Sequence, residues 1–201
     1  MKCSLQSLEA ALTNCKDIYS RRPSDYLGRK FYNENCFAFS SSMLMGLVAV
    51  FAVPSILRVL VGSRRSSSVY TAYKRYLSTL LHTVSWFENE LKPGSTSLYT
   101  VRSRHIRAGL ASKLKGTGTV SQRDLALTLF GFIGFSMLKS DKYGIRQLEE
   151  GDWEAYNYTW RVIGHMVGLE DRLIQHYSLD MENSIYNCIG ISSATFGTSV
   201  H

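Results

Sequence analysis

His105 lies in the stretch "TVRSRHIRAGL", with Arg102, Arg104 and Arg107 around it. An imidazole can ligate a metal or a haem iron, and a guanidinium grips carboxylates through its planar fork. On a helix, Val101, His105, Ala108, Gly109 and Ser112 fall within one arc. Arg104 and Arg107 then flank that arc on one side and Arg102 on the other. Small neighbours would let a flat group approach the backbone beside His105. The same pattern also suits a hydrogen-bonded core histidine on an ordinary packed helix.

The other histidines say less. His82 sits mid-helix, three residues from Thr79, and reads as a core or supporting residue. His165 interrupts an apolar face, and His176 and His201 fall in a poorly patterned tail. The chain contains no HExxH, no GxSxG and no GxxxxGK[ST], so a zinc hydrolase, a serine nucleophile elbow and a phosphate loop lack support.

The elements that must position these side chains are helical almost throughout. With 201 residues, 45% apolar and 19% charged, the chain is long and apolar enough for one ordered domain. Residues 4–20 carry Leu5, Leu8, Leu12 and Ile18 at helical spacing, and "SRRPSDYLGRKFYNEN" reads as a polar linker. Residues 37–62 are uncharged until Arg58. Their most apolar part, 43–57, falls short of the roughly 20 residues a bilayer span needs. A buried helix kinked at Pro54 is expected there, with a true span as the alternative.

A helix over about 68–91 follows, bounded by serines and by Pro93-Gly94. The histidine helix runs to the "GTGT" loop. Ser121 and Asp124 then stand at capping-box spacing before "LALTLFGFIGF", which is apolar on nearly all sides. In the last helix Trp153, Tyr156, Trp160, Ile163, Gly164 and Val167 share a face, with Gly168 as C-cap.

A net charge of +7 admits anionic partners. The clusters "RRPSDYLGRK", "GSRRSSSVYTAYKR" and "RSRHIR" interleave bases with aromatics but match no nucleic-acid-binding pattern, so no nucleic-acid partner is expected. Cys3, Cys15, Cys36 and Cys188 lack CxxC spacing and read as free, partly buried thiols in a reducing compartment. The N-terminus lacks the apolar core of a secretory signal peptide.

The stretches "RYLSTLLHTV", "VRSRHIRAG", "SQRDLALTLFGFIGFSMLKSDKYGI" and "YTWRVIGHMVGLEDRL" together resemble a known family, in order and in spacing. It is the catalytic domain shared by the bacterial rubber oxygenase (latex-clearing protein) and the fungal ER-bound oxygenase of mycophenolic acid biosynthesis. Animal proteins, insect ones included, also look like members. The resemblance implies an all-α, single helical domain with a globin-like core around one haem b.

It implies His105 as the axial iron ligand, and Arg75 and Thr79 near the haem on an earlier helix; the guanidinium forks of Arg102 and Arg104, flanking His105, suit haem propionates. It also implies dioxygen-dependent oxidation or C=C cleavage of a hydrophobic, isoprenoid-like small molecule. Ser78 stands where rubber-cleaving relatives have a lysine, and Arg-His-Ile where the family often has Leu-His-Ala.

Family domains continue with further helices, so a truncated or divergent member is implied. Its parts are an N-terminal helix and linker over 1–34, an oxygenase-like domain over 35–175 and a divergent tail over 176–201. A catalytically inactive or membrane-associated helical haem-binding or structural protein is the alternative. The expected place is intracellular, with the ER membrane as one option.

Overall fold

Local signals at the helix ends set most of the element boundaries. A computed structural model describes residues 22–63, 68–91, 95–170 and 173. The helices among them are α1 (Arg22–Glu34), α2 (Cys36–Ala49), α3 (Pro54–Gly62), α4 (Val69–Glu88), α5 (Thr96–Leu114), α6 (Gln122–Leu138), α7 (Ser140–Tyr143) and α8 (Asp152–Val167). A 3-10 turn, Val50–Ala52, separates α2 from α3. No strand occurs among the described residues, and the helices form a single all-α domain. The expected helix over 4–20 and the tail over 176–201 lie outside those residues.

Two helices begin with reciprocal caps. The Ser68 side chain accepts from the Thr71 amide at 3.2 Å, and Thr71 Oγ1 accepts from the Ser68 amide at 3.0 Å. At α6, Ser121 Oγ accepts from the Asp124 amide at 3.1 Å and Asp124 Oδ2 accepts from the Ser121 amide at 3.0 Å. Asp124 is also buried, and its Oδ1 accepts from Ser55 Oγ on α3 at 2.6 Å. One carboxylate thus caps α6 and ties it to α3. Asp124→Ala removes the cap and a charge-assisted bond together, and should cost about 2–4 kcal/mol in urea unfolding. A loss no larger than a bare cap would show the Ser55 bond to be idle.

Helix α1 corrects the expectation of a linker over 22–34. Its only proline, Pro23, occupies the first turn, where a helix tolerates it, and its glycine is a packing position rather than a turn. A Cβ on Gly28 would overlap Thr159 Oγ1 and the Ala155 carbonyl of α8. That close approach buries Phe31 and Tyr32, so the domain reaches back to residue 22 instead of starting at 35. Tyr32 stacks on Phe87 with ring centroids 3.9 Å apart, and Phe39 stacks on Tyr156 at 4.3 Å. Trp160 completes this aromatic core against Phe87 and Phe132.

The apolar segment is not one helix kinked at Pro54. Val53 is extended (φ −88°, ψ 109°) and Pro54 opens a separate helix. The residue before a proline is pushed out of the helical region, so the break falls one residue early. Among the described residues no single helix is long and apolar enough to cross a membrane. Helix α2 instead crosses α6 where Gly46 meets Gly131: a Cβ on Gly46 would overlap the Gly131 carbonyl. Cys36, expected to be partly buried, is exposed and unpaired at the start of α2.

Candidate functional site

Helix α5 carries His105, and its contacts fix which way that histidine looks. Val101, one turn before it, packs against the main core. Arg102 Nη1 donates to the Met166 carbonyl at 3.2 Å, at the C-terminal end of α8. One turn after His105, a Cβ on Gly109 would sit 3.6 Å from the Val120 amide nitrogen, so Val120 takes the space beside that glycine. Ser112 is buried and shares a 2.7 Å hydrogen bond with Thr117. His105 therefore lies on the inward side of α5, between the end of α8 and the entry to α6.

Its Nδ1 is enclosed and has no hydrogen-bond partner among the described residues. Burial holds the imidazole below its ordinary value of 6.5. The ring is thus neutral at neutral pH, the form that ligates metal. Leaving such a nitrogen unsatisfied costs about 1–3 kcal/mol, so the arrangement favours any group that would occupy it.

Arg102 acts as a cap. Its cation sits at the negative end of the α8 dipole, and Gln122 completes the clasp. Gln122 Nε2 donates to the Gly168 carbonyl at 3.0 Å, and Gln122 Oε1 accepts from the Glu170 amide at 2.9 Å. The Gln-x-Asp entry to α6 therefore has two structural tasks: Gln122 holds the end of α8 and Asp124 holds α3.

On the other side of α5, Arg104 turns towards α4. Its Nη1 lies 3.1 Å from His82 Nε2 and 3.4 Å from Ser78 Oγ. His82 Nδ1 is 2.7 Å from Ser97 Oγ, which also accepts from Trp86 Nε1 at 2.9 Å. A guanidinium has no acceptor, so His82 Nε2 must offer its lone pair to Arg104. Nδ1 then carries the proton and donates it to Ser97. This polarity is opposite to that of a serine nucleophile with its base, since His82 has no lone pair left for the Ser97 proton. The unit is a positioning device for Arg104.

Sequence reasoning left His82 as a supporting residue and overlooked Ser97 and Trp86. The i, i+4 spacing of Ser78, His82 and Trp86 was a usable signal. Their pairing with the facing helix was not.

Burial first, and then the Arg104 charge, hold the His82 imidazole below 6.5. The unfolded chain therefore binds protons that the folded chain resists as pH falls through 6.5. Stability contributed by His82 is fully present above that value and is lost below it. The thermal midpoint should stay level above neutrality and decline on acidification, and His82→Gln should flatten part of that decline. An unchanged acid limb in the variant would remove His82 from the account.

Arg75 and Thr79 lie one turn apart on α4, but they meet through the backbone. Thr79 Oγ1 donates to the Arg75 carbonyl at 3.0 Å, a common use of a mid-helix threonine. The Arg75 guanidinium lies over Phe51 at 5.2 Å and Tyr76 at 5.0 Å, within cation–π range. Arg75 Nη1 and Tyr76 Oη are both enclosed, and among the described residues neither meets a partner in full hydrogen-bond geometry. Burial raises the Tyr76 phenol above its ordinary value, and the neighbouring Arg75 charge offsets part of the rise.

Among the described residues no three His, Cys, Asp or Glu side chains cluster to form a metal cage. A haem iron, held by its own macrocycle, asks the protein for one axial imidazole, and His105 fits that request. Arg75 fits a polar or anionic group brought against its enclosed Nη1. Arg102 and Arg104 are already engaged with Met166 and His82, so only their remaining N–H groups could meet a carboxylate. No family model matches the chain, and no curated protein or solved structure matches it.

Proposed function

We propose that the chain is a haem b-binding, oxygenase-like protein with a globin-like core, acting on a hydrophobic, isoprenoid-like molecule with dioxygen. The supporting observation is the neutral His105 imidazole, whose enclosed Nδ1 has no partner among the described residues. A bound haem supplies iron for dioxygen-dependent oxidation or C=C cleavage; the chain's own residues bind and orient. His105 holds the cofactor from α5, and Arg75 presents its enclosed Nη1 from α4. Thr79 steadies the Arg75 turn through its carbonyl bond, and the His82–Ser97 unit fixes Arg104 next to Ser78. The aromatic and aliphatic side chains of α6 exclude water and favour an apolar substrate.

Haem reconstitution followed by absorption spectroscopy tests this reading. A Soret band that disappears in His105→Ala and persists in His176→Ala is expected, whereas a wild-type protein without the band overturns the proposal.

The engagement of Arg102, Arg104 and the Thr79 hydroxyl with protein partners favours a second reading, a helical haem-binding or structural protein without oxygenase activity. Oxygen uptake by the reconstituted protein, measured with isoprenoid substrates, separates the two.

A further inference from the structure

The contact between Arg104 and His82 rests on one lone pair. A guanidinium only donates, so His82 Nε2, 3.1 Å from Arg104 Nη1, is the acceptor. The Nδ1 proton is committed to Ser97 Oγ at 2.7 Å, and Ser97 also accepts from Trp86 Nε1 at 2.9 Å. Arg104 Nη1 meets the Ser78 hydroxyl as well, at a longer 3.4 Å.

An added proton has one place to go. Since Nδ1 already carries a proton, the next one takes Nε2, and two donors then face each other. The hydrogen bond becomes a contact between imidazolium and guanidinium, two like charges. His82 is half-buried, so solvent protons reach it while the repulsion is not fully screened. The bond to Ser97 survives, because an imidazolium still donates from Nδ1. Acid thus reverses the sign of the Arg104 contact alone.

The charged groups around this pair face elsewhere. Helix α5 contains no Asp or Glu, and the first in α4 is Glu88, nearly two turns beyond His82. Two turns before His82, Lys74 lies over Tyr70 and Arg75 over Phe51 and Tyr76. On α5, Arg102 bonds the Met166 carbonyl, Arg107 bonds the Ser103 carbonyl, and Tyr99 is exposed. Helix α1 reaches α4 through Asn33 at Phe87, and its Glu34 pairs with Lys30. The Val50–Ala52 turn brings Phe51 to α4 and α8 brings Trp160, both uncharged. Burial and the Arg104 charge are what hold the His82 imidazole below 6.5.

We propose that His82 is a proton-operated latch on Arg104: closed while its Nε2 is bare, and opened when that nitrogen takes a proton and releases the guanidinium from α4. An end-on bidentate grip on a carboxylate uses both Nη groups, so the latch decides when α5 can offer one. This stands independently of the haem reading.

Two measurements on the full chain test the latch. NMR of the arginine side-chain nitrogens should show hindered rotation of the Arg104 guanidinium giving way to free rotation below pH 6.5, ahead of any change in circular dichroism. His82→Gln keeps an acceptor that does not titrate, so its Arg104 should stay hindered throughout. The second measurement is phenylglyoxal labelling at a fixed, mildly alkaline pH, with Arg104 read by mass spectrometry against exposed Arg107. His82→Lys places a lasting cation at the latch and should speed Arg104 labelling about tenfold, the order expected for losing one hydrogen bond to a charged group. His82→Gln should label at the wild-type rate.

Arg104 rotation that stays hindered in acid overturns the proposal, as does an acid transition that His82→Gln retains. Equal labelling of Arg104 in wild type and His82→Lys overturns it too. If acid unfolds the chain in the same range, the labelling comparison decides.

Discussion

Gly46→Leu is expected to unfold the domain or leave it with a broad, weakly cooperative transition. The reason is a backbone contact. A Cβ at this position would overlap the Gly131 carbonyl, and a Cβ on Gly131 would in turn overlap Val50 Cγ2 and crowd the Gly46 carbonyl. No side chain can rotate away from a clash between two helix backbones.

Helices α2 and α6 would have to separate, and α6 carries Leu129 and Ile133 into the main core. Overpacking in cores typically costs about 1–3 kcal/mol, and a leucine against backbone should exceed that range. Gly46→Ala should be milder and still clearly destabilising. Urea unfolding followed by circular dichroism reads both. A variant that unfolds at the wild-type midpoint would mean that the glycine crossing does not hold α2 to α6.

His105→Leu should abolish haem absorbance and, in the same protein without cofactor, raise stability by about 1–2 kcal/mol. The two effects have one cause. The imidazole nitrogen is enclosed without a partner among the described residues, so the folded chain carries a desolvation cost that leucine does not. A histidine kept for structure would behave in the opposite way, losing stability when its hydrogen bonds are removed.

Measuring both quantities separates a ligand position from a packing position. Lower stability of the cofactor-free variant, with absorbance retained, would defeat the ligand assignment. His82→Leu offers the contrasting case: it strips Arg104 and Ser97 of a bonded partner and should destabilise.

Much of this molecule was legible in one dimension. Ser68 and Ser121 sit before runs at helical spacing, and both cap as their spacing requires. Gly168 ends α8 with φ 106°, a conformation few other residues adopt. The arc around His105 likewise followed from the 3.6-residue period, with Arg102 and Arg104 leaving on opposite sides. Such features depend on neighbours within one turn, which the sequence states directly.

Other features depend on which helix faces which. Pro23 and Gly28 look like loop residues until α8 arrives with Ala155 and Thr159 and turns the glycine into a packing site. The apolar stretch after Asn35 looks like one element until Val53 and Pro54 divide it. Arg104 looks free to meet an anion until α4 brings His82 to it, and Thr79 looks like a donor to a ligand until its hydroxyl is found donating to the Arg75 carbonyl.

Composition and periodicity therefore determined the all-helical class, the helix ends and the inward direction of His105. Only the tertiary structure decided the partners of Arg102, Arg104 and Gln122 and the two glycine crossings. The physical reason is that periodicity sets the direction of a side chain within its own helix. Contact between distant helices sets what, if anything, that side chain meets.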